Sequence, residues 1–265
     1  MPQIRNNISR EKKWRIVFWG VFLSLMVAAC ANEPVKQQDS ALLAQKKFTE
    51  AVRFASLNSR PEMYASLREA VRLDPLDARY HWELGRAYFA DGDLKNAEKE
   101  FQQTIRLNEN FSEAFKELGR LYMQEGDLDK AIYYLKEGLK KTGITTPQIL
   151  HNWIAICYYG QDRFQEAEKE WLEALRIKEN ENILLNLALA YRDKEYFDKA
   201  RDSLKRAVLI NPRFAPAHYH LALLYLKNKK YELAGNHFEQ AVQLDADSEQ
   251  GRSAAEYLKM IKAIK

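Results

Sequence analysis

The chain has 265 residues, 46% of them hydrophobic and 29% charged, which is enough to bury a sizeable core and too apolar for a disordered protein. Ten glycines and seven prolines are few for a fold built from hairpins and tight turns, so the balance favours helices. The formal charge of +4 resides in the first 29 residues, which hold five basic residues and one acid, while residues 30–265 carry 36 of each sign; overall charge gives no support for nucleic-acid binding. The two cysteines, Cys30 and Cys157, allow at most one disulfide and sit in unlike contexts, so no disulfide framework is expected.

Residues Met1 to Arg15 are polar and basic, and Trp14 to Ala29 (WRIVFWGVFLSLMVAA) form a nearly continuous apolar run. Basic residues stay on the cytoplasmic side of a membrane, so the chain beyond the run is expected to be exported. The run has 16 residues, fewer than the ~20 that span a bilayer comfortably. It ends in Val27-Ala28-Ala29-Cys30, small residues directly before a cysteine. This order of basic, apolar and small residues before a cysteine resembles a bacterial lipobox. The resemblance implies a lipoprotein signal peptide over 1–29, cleavage before Cys30, a diacylglyceryl group on the Cys30 sulfur and an acylated new N-terminus. The other reading of the same segment is an uncleaved signal anchor, which leaves the rest of the chain on the same side of the membrane. Two or more acyl chains hold a protein stably at a bilayer, at about 0.8 kcal/mol per buried CH₂. By resemblance to enterobacterial lipoproteins, Ala31 after the cysteine permits sorting to the outer membrane, facing the periplasm, with the inner membrane the lesser alternative. Polar residues 31–40 (ANEPVKQQDS), with Pro34, read as a tether between lipid and fold.

Beyond the tether the chain repeats. Leu84-Gly85-x-x-Tyr88 recurs 34 residues later as Leu118-Gly119-x-x-Tyr122, then as Ile154-Ala155-x-x-Tyr158, Leu187-Ala188-x-x-Tyr191 and Leu221-Ala222-x-x-Tyr225. Each is followed by a second signature: Ala97-x-x-x-Phe101, Ala131-x-x-x-Leu135, Ala167-x-x-x-Trp171, Ala200-x-x-x-Leu204 and Ala234-x-x-x-Phe238. The small residues let two helices approach, and the large residue one turn on fills the groove to the next pair. Polar turns separate the paired helices, such as Asp91-Gly92-Asp93 and Glu125-Gly126-Asp127. The grammar and the period identify a resemblance to the tetratricopeptide repeat family. It implies an all-α, right-handed superhelical solenoid of about six helix-turn-helix repeats, at about 44–77 (degenerate), 78–111, 112–145, 148–180, 181–214 and 215–248. Residues 249–265 are amphipathic and are expected to form a capping helix. The junction near Gly143 and Pro147 is longer than the others and marks a plausible bend.

Residues with chemical potential have plainer roles in this frame. His81, His151 and His218 fall in the same slot of alternate repeats and read as packing residues, not a metal set. Cys157 takes a slot that holds Ala or Leu elsewhere and reads as a small buried residue. There is no phosphate-binding glycine loop, nucleophile elbow, His-Glu-x-x-His or Cys-x-x-Cys, and the repeats leave too little chain for a catalytic domain, so neither enzyme activity nor a cofactor or small-molecule substrate is expected.

In the tetratricopeptide family, first-helix residues off the packing slots line the inner face. Here those positions are Trp82, Arg86, Phe89, Lys116, Arg120, Met123, Asn152, Ile156, Tyr159, Leu185, Leu189, Arg192, Tyr219, Leu223 and Leu226. Aromatic and Arg anchors, giving way to an apolar lining, suit a protein segment; packing on neighbouring repeats or on the tail helix is the alternative for some of them. Lys116 and Arg120 resemble part of a two-carboxylate clamp, but Trp153 and Pro216 stand where its polar partners belong, so the clamp is not assigned. The plan of lipobox, tether and six repeats resembles the type IV pilus biogenesis lipoproteins, the pilotins that help an outer-membrane secretin insert and multimerise. The competing expectation is a cell-envelope adaptor that recruits peptidoglycan enzymes or outer-membrane protein assembly factors.

Overall fold

The computed structural model describes residues 38–264, and among them there are thirteen α-helices and no strand. In chain order they are α1 (38–56), α2 (Arg60–Leu73), α3 (Ala78–Ala90), α4 (Leu94–Leu107), α5 (Ser112–Glu125), α6 (Leu128–Leu139), α7 (Pro147–Gly160), α8 (Phe164–Ile177), α9 (Glu181–Asp193), α10 (Phe197–Ile210), α11 (Ala215–Lys227), α12 (Tyr231–Leu244) and α13 (Glu249–Ile264). The leader, Cys30 and most of the tether lie outside the described residues. The described residues divide into two compact units, 38–108 and 109–264.

The first unit packs α1 to α4. Ala44 and Ala51 of α1 are buried with Leu67 and Ala70 of α2 and with Tyr80 and Leu84 of α3. The helix begins earlier than the tether reading placed it. Residues 38–40 form the first turn of α1, where Ser40 Oγ donates to the Leu73 carbonyl at 2.6 Å, and that tertiary bond secures a stretch with no apolar periodicity of its own.

The second unit stacks α5 to α13, each helix packing on the next, with the first helices of successive pairs also touching: α5 meets α7, α7 meets α9, α9 meets α11 and α11 meets α13. In both units the signature residues form the core. Leu84, Leu118, Ile154, Leu187 and Leu221 are buried, as are Ala97, Ala131, Ala167, Ala200 and Ala234. A β-carbon on Gly85 would lie 2.8 Å from the Phe101 ring, and one on Gly119 would overlap Leu135, so glycine sets how closely these helices approach. Asp77, Asp93, Asp127 and Asn180 accept backbone N–H bonds at the starts of α3, α4, α6 and α9. Pro147 is the first residue of α7, where a missing N–H costs nothing.

The turns within the pairs share one conformation. Asn58, Gly92, Gly126, Asp162, Glu195 and Lys229 all have φ between 55° and 80°. Only two of the six are glycine, and a side chain in this region costs about 1–2 kcal/mol. Glu195→Gly and Lys229→Gly are each expected to stabilise the protein by about 0.5–1 kcal/mol after the extra freedom of glycine in the unfolded chain is subtracted. The urea midpoint checks this; an unchanged or lower midpoint contradicts it.

Candidate protein-binding face

None of the fifteen first-helix residues nominated from sequence is buried, and the structure distributes them over the two units. Trp82, Arg86 and Phe89 lie on α3 of the first unit. The Arg86 guanidinium stacks 4.8 Å from the Trp82 ring and pairs with Glu83 at 3.1 Å. Arg86 also borders an apolar groove of about 370 Å³, floored by Phe48, Ala51, Met63 and Ala87.

Twelve lie on α5, α7, α9 and α11 of the second unit. Lys116 is half-buried beside the α6–α7 connection, Arg120 pairs with Glu117 at 3.0 Å, and Met123 is half-buried. On α7, Asn152 ties repeats together: its Oδ1 accepts from Trp171 Nε1 at 3.0 Å and from Asn186 Nδ2 on α9 at 3.1 Å. The Tyr159 hydroxyl donates to Asp193 Oδ2 at 2.8 Å, and Arg192 donates to Asp193 Oδ1 at 2.8 Å. Burial and then Asp193 push the Tyr159 hydroxyl up to about 12. Burial alone would raise the Asp193 carboxyl, but the bonds from Arg192 and Tyr159 outweigh it and hold that group below its ordinary value. Ile156, Leu185, Leu189, Leu223 and Leu226 remain half-buried on this row. Tyr219 is different: its ring meets Phe238 edge-on, and Phe238 stacks on Tyr257 of α13, so it packs beside the terminal helix. The result is a half-buried apolar strip with an anchored Arg–Asp–Tyr cluster, a chemistry suited to apolar side chains of another protein.

Sequence offsets missed Asn186, Asp193 and His220. They lie one place off the sampled positions; the Asn152–Asn186 and Tyr159–Asp193 bonds each span 34 residues, so the repeat period was the signal that could have found two of the three. His220 is mostly buried and its Nδ1 has no hydrogen-bond partner among the described residues. Burial, then Arg192, push its imidazole down to about 4, with Asp193 opposing.

The three slot-sharing histidines each face a residue nineteen positions on: His81 Nδ1 lies 2.6 Å from Glu100, His151 Nδ1 lies 2.6 Å from Glu170, and His218 Nδ1 lies 3.0 Å from His237 Nδ1. His218 Nε2 faces the Pro212 carbonyl at 3.0 Å. That geometry assigns His218 an Nε2–H, with its Nδ1 accepting from His237 Nδ1–H. Burial, His218 and Lys205 push the His237 imidazole down to about 4. Cys157 is fully buried, which pushes its thiol up to about 11. Among the described residues no group of three or more His, Cys, Asp or Glu side chains is placed to hold a metal ion.

His220 and His237 set an expected acid sensitivity. Their imidazoles titrate near 4 in the fold and near the ordinary 6.5 when unfolded. The unfolded chain therefore binds more protons between those values. The stabilisation is complete above pH 6.5 and is lost as pH falls through 4, roughly 2 kcal/mol for each histidine once solvent screening is allowed for. Melting temperatures from pH 7 to pH 4 check this, and His220→Gln with His237→Gln is expected to flatten the slope.

The sequence profile of the tetratricopeptide repeat matches residues 65–112, 92–148, 116–182 and 185–249. The human antiviral innate immune response effector IFIT1 is 25% identical over 211 residues, 77% of this chain; the chain spans 39% of that protein's length. Two solved structures match in fold over most of this chain. PilW, a widely conserved type IV pilus biogenesis factor, superposes with a TM-score of 0.67 at 16% identity over 80% of this chain and 98% of its own. PilF of Pseudomonas aeruginosa superposes with a TM-score of 0.66 at 13% identity over 86% and 99%. At these identities the likeness is one of fold.

Proposed function

This chain belongs to the tetratricopeptide repeat family of protein-interaction scaffolds, and from that premise we propose that it is a lipid-anchored scaffold that assists type IV pilus biogenesis. In this reading Cys30 carries the lipid, the outer membrane holds the protein, and the repeats face the periplasm. The partner lies along the first helices, and an outer-membrane secretin is the partner whose assembly it supports.

The observation that carries the reading is the row formed by α7, α9 and α11. Ile156, Leu189 and Leu223 stay half-buried there, while Asn152–Asn186 and Tyr159–Asp193 bonds hold the row in register. A pre-ordered apolar strip loses little entropy on accepting a partner. The resemblance of Val27-Ala28-Ala29-Cys30 to a lipobox supports the anchor. The pilus assignment is supported by the plan of leader, tether and six helix pairs, and by the fold shared with PilW and PilF over nearly their whole lengths.

The test is a strain of the source bacterium lacking this protein. Its outer-membrane secretin is expected to lose detergent-resistant multimers, with recovery on wild-type expression and none on expression of Cys30→Ala. Normal multimers with normal pili reject the pilus role. Altered wall turnover or a leaky outer membrane in that same strain moves the assignment to an envelope adaptor.

A further inference from the structure

The first helix has a face that its own unit leaves uncovered. Ala44 and Ala51 turn inward, and the opposite side of α1 presents Leu42, 72% exposed, beside Leu43, 43% exposed. Lys46 and Arg53 lie on the same outward side and are exposed. Neither makes a direct ion pair among the described residues, whereas the neighbouring Lys47 is held by Glu50 at 2.7 Å. Exposed leucines with two exposed cations on one side of a helix, Asp39 being the acid that borders the same patch, fit the boundary between headgroups and acyl chains of a bilayer containing anionic lipid.

The chain ahead of α1 says what lies near that face. The apolar run ends at Ala29 and Cys30 follows it; α1 begins at residue 38. Seven residues separate the two, a reach of about 25 Å when fully extended. Whether lipid on Cys30 or the uncut apolar run holds the membrane, the attachment point is the same, and the short tether keeps α1 at high effective concentration against the surface. We infer that α1 lies on the membrane surface, with Leu42 and Leu43 in the interfacial layer and Lys46 and Arg53 on anionic headgroups. This rests on the membrane attachment proposed above and adds a second contact, which would orient the repeats relative to the bilayer.

The test uses the full chain, expressed in a bacterium, purified from membranes in detergent and reconstituted into vesicles of phosphatidylcholine with phosphatidylglycerol. A nitrobenzoxadiazole label is placed at Leu42→Cys or, as a control, at Leu209→Cys, an 80% exposed position in the second unit. Cys157 is buried, and the unsubstituted chain reports any labelling of Cys30. The expected result is flotation with the vesicles, blue-shifted emission at position 42 and resistance to dithionite there but not at 209. The shielding should weaken in phosphatidylcholine alone and on Lys46→Glu with Arg53→Glu. Flotation with equal quenching at both positions overturns the inference and leaves the anchor standing. Failure to float overturns both. Shielding at 42 that is the same in phosphatidylcholine alone, is unchanged by Lys46→Glu with Arg53→Glu and comes with cross-linking of position 42 to a second polypeptide overturns the inference in favour of a protein covering the face.

Discussion

Trp171→Ala is expected to lower the stability of the protein by about 3–5 kcal/mol. Trp171 is the largest of the fully buried side chains and fills the slot one turn beyond Ala167. Its removal leaves a cavity bordered by α7 and α8, and it also removes the donor to Asn152. Asn152 would then keep only Asn186 as a donor, so the damage reaches the α7–α9 contact. Trp171→Phe restores part of the volume but not the bond and should lose about half as much. Urea unfolding followed by circular dichroism checks both variants. A loss under 1 kcal/mol for the alanine variant would mean that this part of the stack repacks freely.

Gly251→Ala is expected to lift α13 off the end of the stack. A β-carbon at Gly251 would overlap the Asp245 carbonyl, which is backbone and cannot turn aside as a side chain can. Relieving such an overlap costs about 3 kcal/mol or more. The contacts at risk are the Tyr257 ring stacked on Phe238 at 5.0 Å and the buried Ile261. Amide hydrogen exchange should accelerate across residues 249–263 and at Phe238, with little change in α7. Unchanged protection of α13 would show that the Asp245 turn gives way instead.

The helix pairs could be read from sequence because close approach of two helices demands a small residue at one place and a large one a turn later. Leu118, Gly119 and Leu135 carry that demand in the sequence and meet it in the structure. The start of α1 was not legible, because Gln38, Asp39 and Ser40 have no apolar period and depend on a bond to Leu73 far along the chain. On the candidate face, residues such as Ile156 and Leu189 could be nominated by offset alone, since packing slots exclude them from the core. The cross-helix bonds of Asn186 and Asp193 could not: each spans 34 residues, one repeat period, but ends one place beyond the positions that the offset rule samples. Tyr219 takes the alternative role: its ring packs edge-on against Phe238 beside α13, which holds the place that the next first helix holds for the earlier repeats.

The contacts of α5 with α7, α7 with α9 and α9 with α11 are joints in series. A small rotation at any one adds to those at the others, so this unit is compliant along the stack although each helix pair is stiff. A partner slightly too wide or too narrow can be accommodated by spreading the misfit thinly over the joints instead of breaking one. The same elasticity lets the row follow a bound protein whose shape changes, and a load applied at one end would pass undivided through all three joints, each supplying part of the extension.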